Sequence, residues 1–247
     1  MNADLTRLHR LLDSGSPINW VLTGDSITHG LLHTRGARNY VEHLHELIRG
    51  DMGRVQDVVI NTAISGWRVA QLLEDFDRRV ATWHPQVVTL MIGTNDCSDA
   101  GLFPVITAAE FAESVSRFVA RVRDLGAIPV LLTQPAIDVP NAPERARIGE
   151  FAQAVRDVAA AEDVILVDPF ARFSQLGGDR VALELLDDPF HPNAAGHAVL
   201  AREVADVLGL HAPEASDRVR PDLEARIEVA LTDAGAGVTA GAGVTPA

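Results

Sequence analysis

Residues 22–30 read "LTGDSITHG", an apolar run that ends in a glycine, an acid and a serine. A strand that stops this way sets a hydroxyl at the edge of a sheet, where Ser26 becomes a candidate nucleophile, although the same residues also describe an ordinary turn. A serine hydroxyl attacks an ester only with a base in hydrogen-bond reach, an orienter for that base and donors for the oxyanion. The base candidate is His191 in "DDPFHPN", because Asp188 stands three residues before it on a turn tightened by Pro189 and Pro192. Asp187 is the competing orienter. Gly66 in "TAISGW" offers a backbone N–H with no side chain in the way, and Asn95 in "GTND" offers an amide. With the N–H of Ser26 itself, that makes three oxyanion donors.

Other residues near these stretches carry a weaker signal. His29 and Trp67 directly follow two of the motifs and are candidate substrate-binding residues, while Arg35 and Tyr40 stand open between pocket and packing roles. Cys97 has no histidine or acid placed beside it by a motif and is expected as a packed thiol. His197 is expected to face outward or to cap the helix that follows. His43 and His45 lie two apart on a helical pattern and so point to different faces. No ligand set at a metal-like spacing is found, so neither a metal nor a cofactor is expected.

What must position these residues is a set of short apolar runs at 18–23, 57–61, 86–93, 127–134 and 163–168. They are rich in Val, Ile and Leu without strict alternation, the pattern of strands covered on both faces. Helical patterns lie at 38–49, 67–82, 107–125, 142–161 and 193–208; in the third, Thr107 and Glu110 form a capping box and Gly126 can close the end. Strands alternating with helices predict an α/β fold, a doubly wound parallel five-stranded sheet in three α/β/α layers. In such sheets the ligand site lies beyond the carboxyl ends of the strands, and the Ser26, Gly66 and Asn95 loops each follow an apolar run.

The chain has 247 residues, enough to bury one core without staples, and is expected as a single domain over 1–231. The Gly/Ala-rich end, 232–247, repeats "GAGVT" and is expected to be a disordered tail. Acids outnumber bases 34 to 21, a net charge of −13, which argues against nucleic acid and anionic surfaces as partners. A single cysteine excludes an internal disulfide framework. With no signal-like stretch and no apolar run of bilayer length, a cytoplasmic protein is expected.

Taken together, "GDSITHG", the glycine of "NTAISGW", "GTND" and "DPFHPN" resemble the successive motif blocks of the SGNH hydrolases, the GDSL-type esterases and lipases, in that family's order across positions 24–196. Ile27 stands where the family name has leucine. The resemblance implies a flavodoxin-like three-layer fold, no cofactor, and a small-molecule acyl ester as substrate. It implies Ser26 as nucleophile, His191 as base held by Asp188, and Ser26, Gly66 and Asn95 as the oxyanion hole. Acyl transfer to an acceptor other than water would use the same residues.

Overall fold

A computed structural model describes residues 2–101, 103–177 and 183–239. Its centre is a five-stranded sheet of β1 (Asn19–Gly24), β2 (Val58–Asn61), β3 (Val87–Met91), β4 (Ile128–Leu132) and β5 (Ile165–Val167). The strands run in the order β2-β1-β3-β4-β5 and every pairing is parallel. This is the flavodoxin-like order, with its switch point between β1 and β3. Each strand coincides with one of the apolar runs to within two residues at either end.

The helices, in chain order, are α1 (Ala3–Asp13), α2 (Ser26–His29), α3 (Tyr40–Glu46), α4 (Val69–Glu74), α5 (Phe76–Arg79), α6 (Ala108–Asp124), α7 (Ile148–Ala161), α8 (Pro169–Gly177), α9 (Ala194–Leu208) and α10 (Val219–Thr239). Alternate strand residues feed two separate cores, as the pleat requires. Trp20, Leu22, Val87 and Met91 pack with Leu8 of α1, Leu44 of α3 and Leu200 of α9. On the other face Val21, Val88 and Leu90 meet Leu72 of α4, Phe76 of α5, Phe118 of α6 and Val155 of α7. The three layers expected from the pattern are therefore present.

Two helical patterns break up. The stretch 67–82 becomes α4, α5 and a 3-10 turn at Ala81–Trp83, because Asp75 leaves helical dihedrals at φ −101°, ψ 20°. The stretch 142–161 starts as a 3-10 turn over Pro143–Arg145, and α7 begins only at Ile148. Arg147 leaves helical dihedrals at φ −82°, ψ 4°, so the helix starts after it. At the other end of the chain, α10 places Val219, Leu223, Ile227 and Leu231 against the first core at four-residue intervals. The helix runs on to Thr239, past the expected start of a disordered tail at 232, since a nucleated helix adds a hydrogen bond with each further residue. Residues 240–247, the rest of that expected tail, lie outside the described residues. Among the described residues no helix is long and apolar enough to cross a membrane.

Candidate active site

The site is built where β1 ends. Gly24 has φ +153°, and a Cβ there would lie 1.9 Å from the carbonyl oxygen of Met91 on the neighbouring β3. Only glycine lets the two backbones approach this closely before the chain turns. Asp25 then caps α2, its Oδ1 accepting the N–H of Ile27 at 3.0 Å. Ser26 is therefore the first residue of a one-turn helix, half-buried at the switch point of the sheet.

The histidine arrives from the far end of the chain on a short, firmly tied loop. Leu186 and Pro192 form an antiparallel bridge, and the N–H of Asp187 donates to the carbonyl of His191 at 2.8 Å. Asn193 caps α9 by accepting from Ala195 and Gly196, and the carbonyl of Pro189 accepts from Asp138 beyond β4. So held, His191 Nε2 lies 2.9 Å from Ser26 Oγ and its Nδ1 lies 2.7 Å from Asp188 Oδ2. A carboxylate only accepts, so Nδ1 carries the proton and Nε2 is left to accept from the serine hydroxyl.

The two adjacent acids have different partners. Asp188 Oδ1 accepts the N–H groups of Phe190 at 2.9 Å and His191 at 2.8 Å, while Oδ2 takes the imidazole. Burial alone would raise the Asp188 pKa, but these hydrogen bonds together hold it below the ordinary carboxylate value. Asp187 instead binds Arg35 Nε at 2.6 Å and His33 Nδ1 at 3.2 Å. For His191 itself burial is the largest influence and lowers the pKa; Asp188 opposes it, and His33 and Arg145 add to the lowering.

The expected oxyanion donors come from the neighbouring strand ends. Gly66, after β2, is exposed with φ +81°, and no atom stands within 4 Å of where its Cβ would be. Asn95, after β3, spends one amide hydrogen on the carbonyl of Trp67 at 3.0 Å and, among the described residues, keeps the other. Among the described residues neither the Ser26 N–H nor the Gly66 N–H donates to another protein group. The two loops are clamped together: Asp96 Oδ1 accepts the N–H of Val69 at 3.0 Å, and Arg68 reaches the carbonyls of Pro104 at 2.6 Å and Ser98 at 3.3 Å.

The other singled-out residues separate cleanly. His29 Nδ1 accepts the N–H of Ser65 at 3.3 Å, joining α2 to the Gly66 loop, and burial followed by the charge of Arg79 lowers its pKa. Trp67 is half-buried against the second core with Arg79 over its ring at 5.0 Å. Tyr40 is fully buried, its hydroxyl bonded to Thr28 at 3.0 Å, so it is a core residue. Cys97 is a buried thiol whose pKa burial pushes up to about 12, in keeping with a packing role. His197 departs from expectation: it is buried inside α9 and accepts the N–H of Tyr40 at 3.3 Å, because its position on the helix faces α3 and the core.

His33 was not singled out by the sequence at all. Its ring stacks on His191 with centroids 3.7 Å apart and planes 7° from parallel. His33, Asp188 and His191 are the group among the described residues whose ligating atoms, all within 4.8 Å, could hold a metal ion. Parallel imidazoles direct their lone pairs along parallel planes rather than toward one point, and Asp188 Oδ2 already accepts the His191 proton. The arrangement suits proton transfer better than cation binding.

The profile of the GDSL-like lipase/acylhydrolase family matches residues 22–199. An acetylxylan esterase of Geobacillus stearothermophilus is 25% identical over 209 residues, 79% of this chain and 95% of that protein. Its crystal structure superposes with a TM-score of 0.68 at 25% identity, covering 79% of this chain and 95% of that one. A lipase/acylhydrolase structure from Enterococcus faecalis gives a TM-score of 0.66 at 25% identity, covering 78% and 96%. A shorter match, 38% identical over 79 residues, links 32% of this chain to an uncharacterized protein of Mycoplasma pneumoniae, of whose length it spans 9%.

Proposed function

The chain belongs to the GDSL-like lipase/acylhydrolase family of ester hydrolases, and on that premise we propose that it cleaves short acyl esters through an acyl-enzyme on Ser26. The observation that carries this reading is the unbroken relay from Ser26 Oγ to His191 Nε2 at 2.9 Å and from His191 Nδ1 to Asp188 Oδ2 at 2.7 Å. Ser26 Oγ adds to the ester carbonyl as its proton passes to His191, and Asp188 stabilises the imidazolium that results. The tetrahedral oxyanion is met by the N–H of Ser26, the N–H of Gly66 and the amide of Asn95. Collapse of that intermediate breaks the C–O bond, with His191 returning its proton to the leaving alcohol. Water, deprotonated by the same imidazole, then adds to the acyl-enzyme, and Ser26 leaves with its proton restored.

The donors matter most because charge develops on the oxygen they face; loss of one such donor typically raises a barrier by about 2.7–4 kcal/mol. The relative named as an acetylxylan esterase, matched along most of both chains, favours an acetyl group as the acyl part. The net charge of −13 favours a neutral alcohol part over an anionic one. His29 and Trp67, flanking the Ser26 and Gly66 turns, are the proposed substrate contacts. The test is turnover of a short-chain aryl ester by the intact protein and by Ser26→Ala. The reading requires turnover by the first and its loss in a folded second; full activity of the variant would refute it.

A further inference from the structure

We propose that His33 is a positioning residue for His191, a ring wall that keeps the imidazole in the one plane that serves Ser26 and Asp188 together. This rests on the reading of Ser26, His191 and Asp188 as the reacting relay. Two hydrogen bonds, at Nδ1 and Nε2, and the bond to Cβ hold the imidazole, but the side-chain torsions still let its plane rock about the line joining its partners. A parallel ring 3.7 Å away removes that freedom. Phe190 also leans on His191, with centroids 4.4 Å apart, but its planes are tilted by 42°, so it does not define the ring plane as His33 does.

His33 is itself fixed by the loop that bears it and by Asp187. Between α2 and α3, Leu32 and Arg35 take left-handed dihedrals, φ 71° and 50°, uncommon for residues other than glycine, and His33 sits between them. Asp187 ties this turn to the His191 loop: its Oδ2 accepts from His33 Nδ1 at 3.2 Å, its Oδ1 accepts from Arg35 Nε at 2.6 Å, and its N–H donates to the carbonyl of His191 at 2.8 Å. One residue therefore sets both rings, His33 through its carboxylate and His191 through its backbone. This assigns Asp187 a use that neither a triad nor a surface acid would give it.

The pair also has an electrostatic consequence. The charged groups around His191 are Asp188, His33 and Arg145, with Asp187 and Arg35 behind His33. Two stacked imidazolium cations repel, so His33 disfavours the charged form of His191. A neutral ring in its place removes that influence, and His191 must then release its proton at higher pH.

The experiment compares wild type, His33→Ala and His33→Phe on a short-chain aryl acetate, with kcat and KM followed across the acid limb and His191→Ala as the reference. In His33→Ala kcat should fall by about tenfold to a hundredfold with KM little changed, as expected of a misplaced reacting group. In His33→Phe, which keeps a ring at the stack, most of kcat should return and the acid limb of kcat/KM should move to higher pH. Equal losses in both variants with an unmoved limb would overturn the proposal, leaving only packing. Wild-type kcat in His33→Ala beside an inactive His191→Ala would overturn it too, with the relay intact. An active His191→Ala would instead overturn the relay, and the proposal with it.

Discussion

Asp187 and Asp188 are neighbours in sequence, yet only Asp188 reaches the imidazole of His191, so their replacements should differ sharply. Asp188→Asn is expected to lower kcat by as much as about 10⁴-fold, the scale on which a serine relay responds to loss of its acid, while Asp187→Asn should cost about tenfold or less. Steady-state kinetics on an aryl acetate decides between them. Asn95→Ala should cost about 10²–10³ in kcat with KM little affected, because its free amide hydrogen is proposed to act only as the oxyanion forms. The pH profile follows from the surroundings of His191. Burial lowers its pKa, so the neutral base persists to lower pH and kcat/KM should rise through a group below the ordinary histidine value of 6.5. Burial is not written in "DPFHPN", so nothing in that motif foretells the lowering. The meeting of Ser26, Asp188 and His191 was legible because turn residues and short spacing announce it. His33 was not, because its only signal is a stack on a residue from the other end of the chain.

Among the elements, β1 and the turn after it set the most exacting constraint. The Cβ of a Gly24→Ala variant would meet the backbone of β3, which cannot yield as a side-chain tip can. The variant should therefore lose activity through displacement of Ser26 and also lower Tm; unaltered values of both would contradict the account of this turn. The central strands β1, β3 and β4 were readable because both of their faces are buried, which leaves continuous apolar runs; the edge strand β2 is apolar in sequence yet partly exposed. Helix ends were less so. Arg147, which lies in the expected helix at 142–161, sends its guanidinium to the carbonyls of Ile106 at 2.8 Å and Cys97 at 3.0 Å, and α7 starts after it. In the same way Asp51 follows α3 to accept the N–H groups of Arg218 and Val219 at 2.7 Å, capping α10. Such tertiary anchors override local periodicity and have no one-dimensional signature.

Over the whole molecule, the two cores and the site share buried groups that make stability depend on pH. Asp25 and Asp96 are fully buried, and burial pushes their pKa values up to about 6 and about 7. The folded state thus keeps protons that the unfolded chain gives up in the ordinary carboxylate range, and stability falls as pH rises through these values. Asp96→Asn keeps the acceptor for Val69 and removes the titration, so its Tm should gain on wild type above neutrality and lose that advantage in mild acid. A gain independent of pH would show that Asp96 is not held protonated. In the second core, Phe118 meets Phe76 edge-on with centroids 5.5 Å apart; Phe118→Ala should cost about 3–5 kcal/mol by denaturant unfolding. The most direct test of the central claim uses the intact chain: exposure to a serine-directed organophosphate ester, followed by mass measurement and peptide mapping. The account predicts one adduct, on the peptide containing Ser26, formed in step with loss of esterase activity and absent from Ser26→Ala. An inactivating adduct on any other residue, or esterase activity that survives full modification of Ser26, would contradict it.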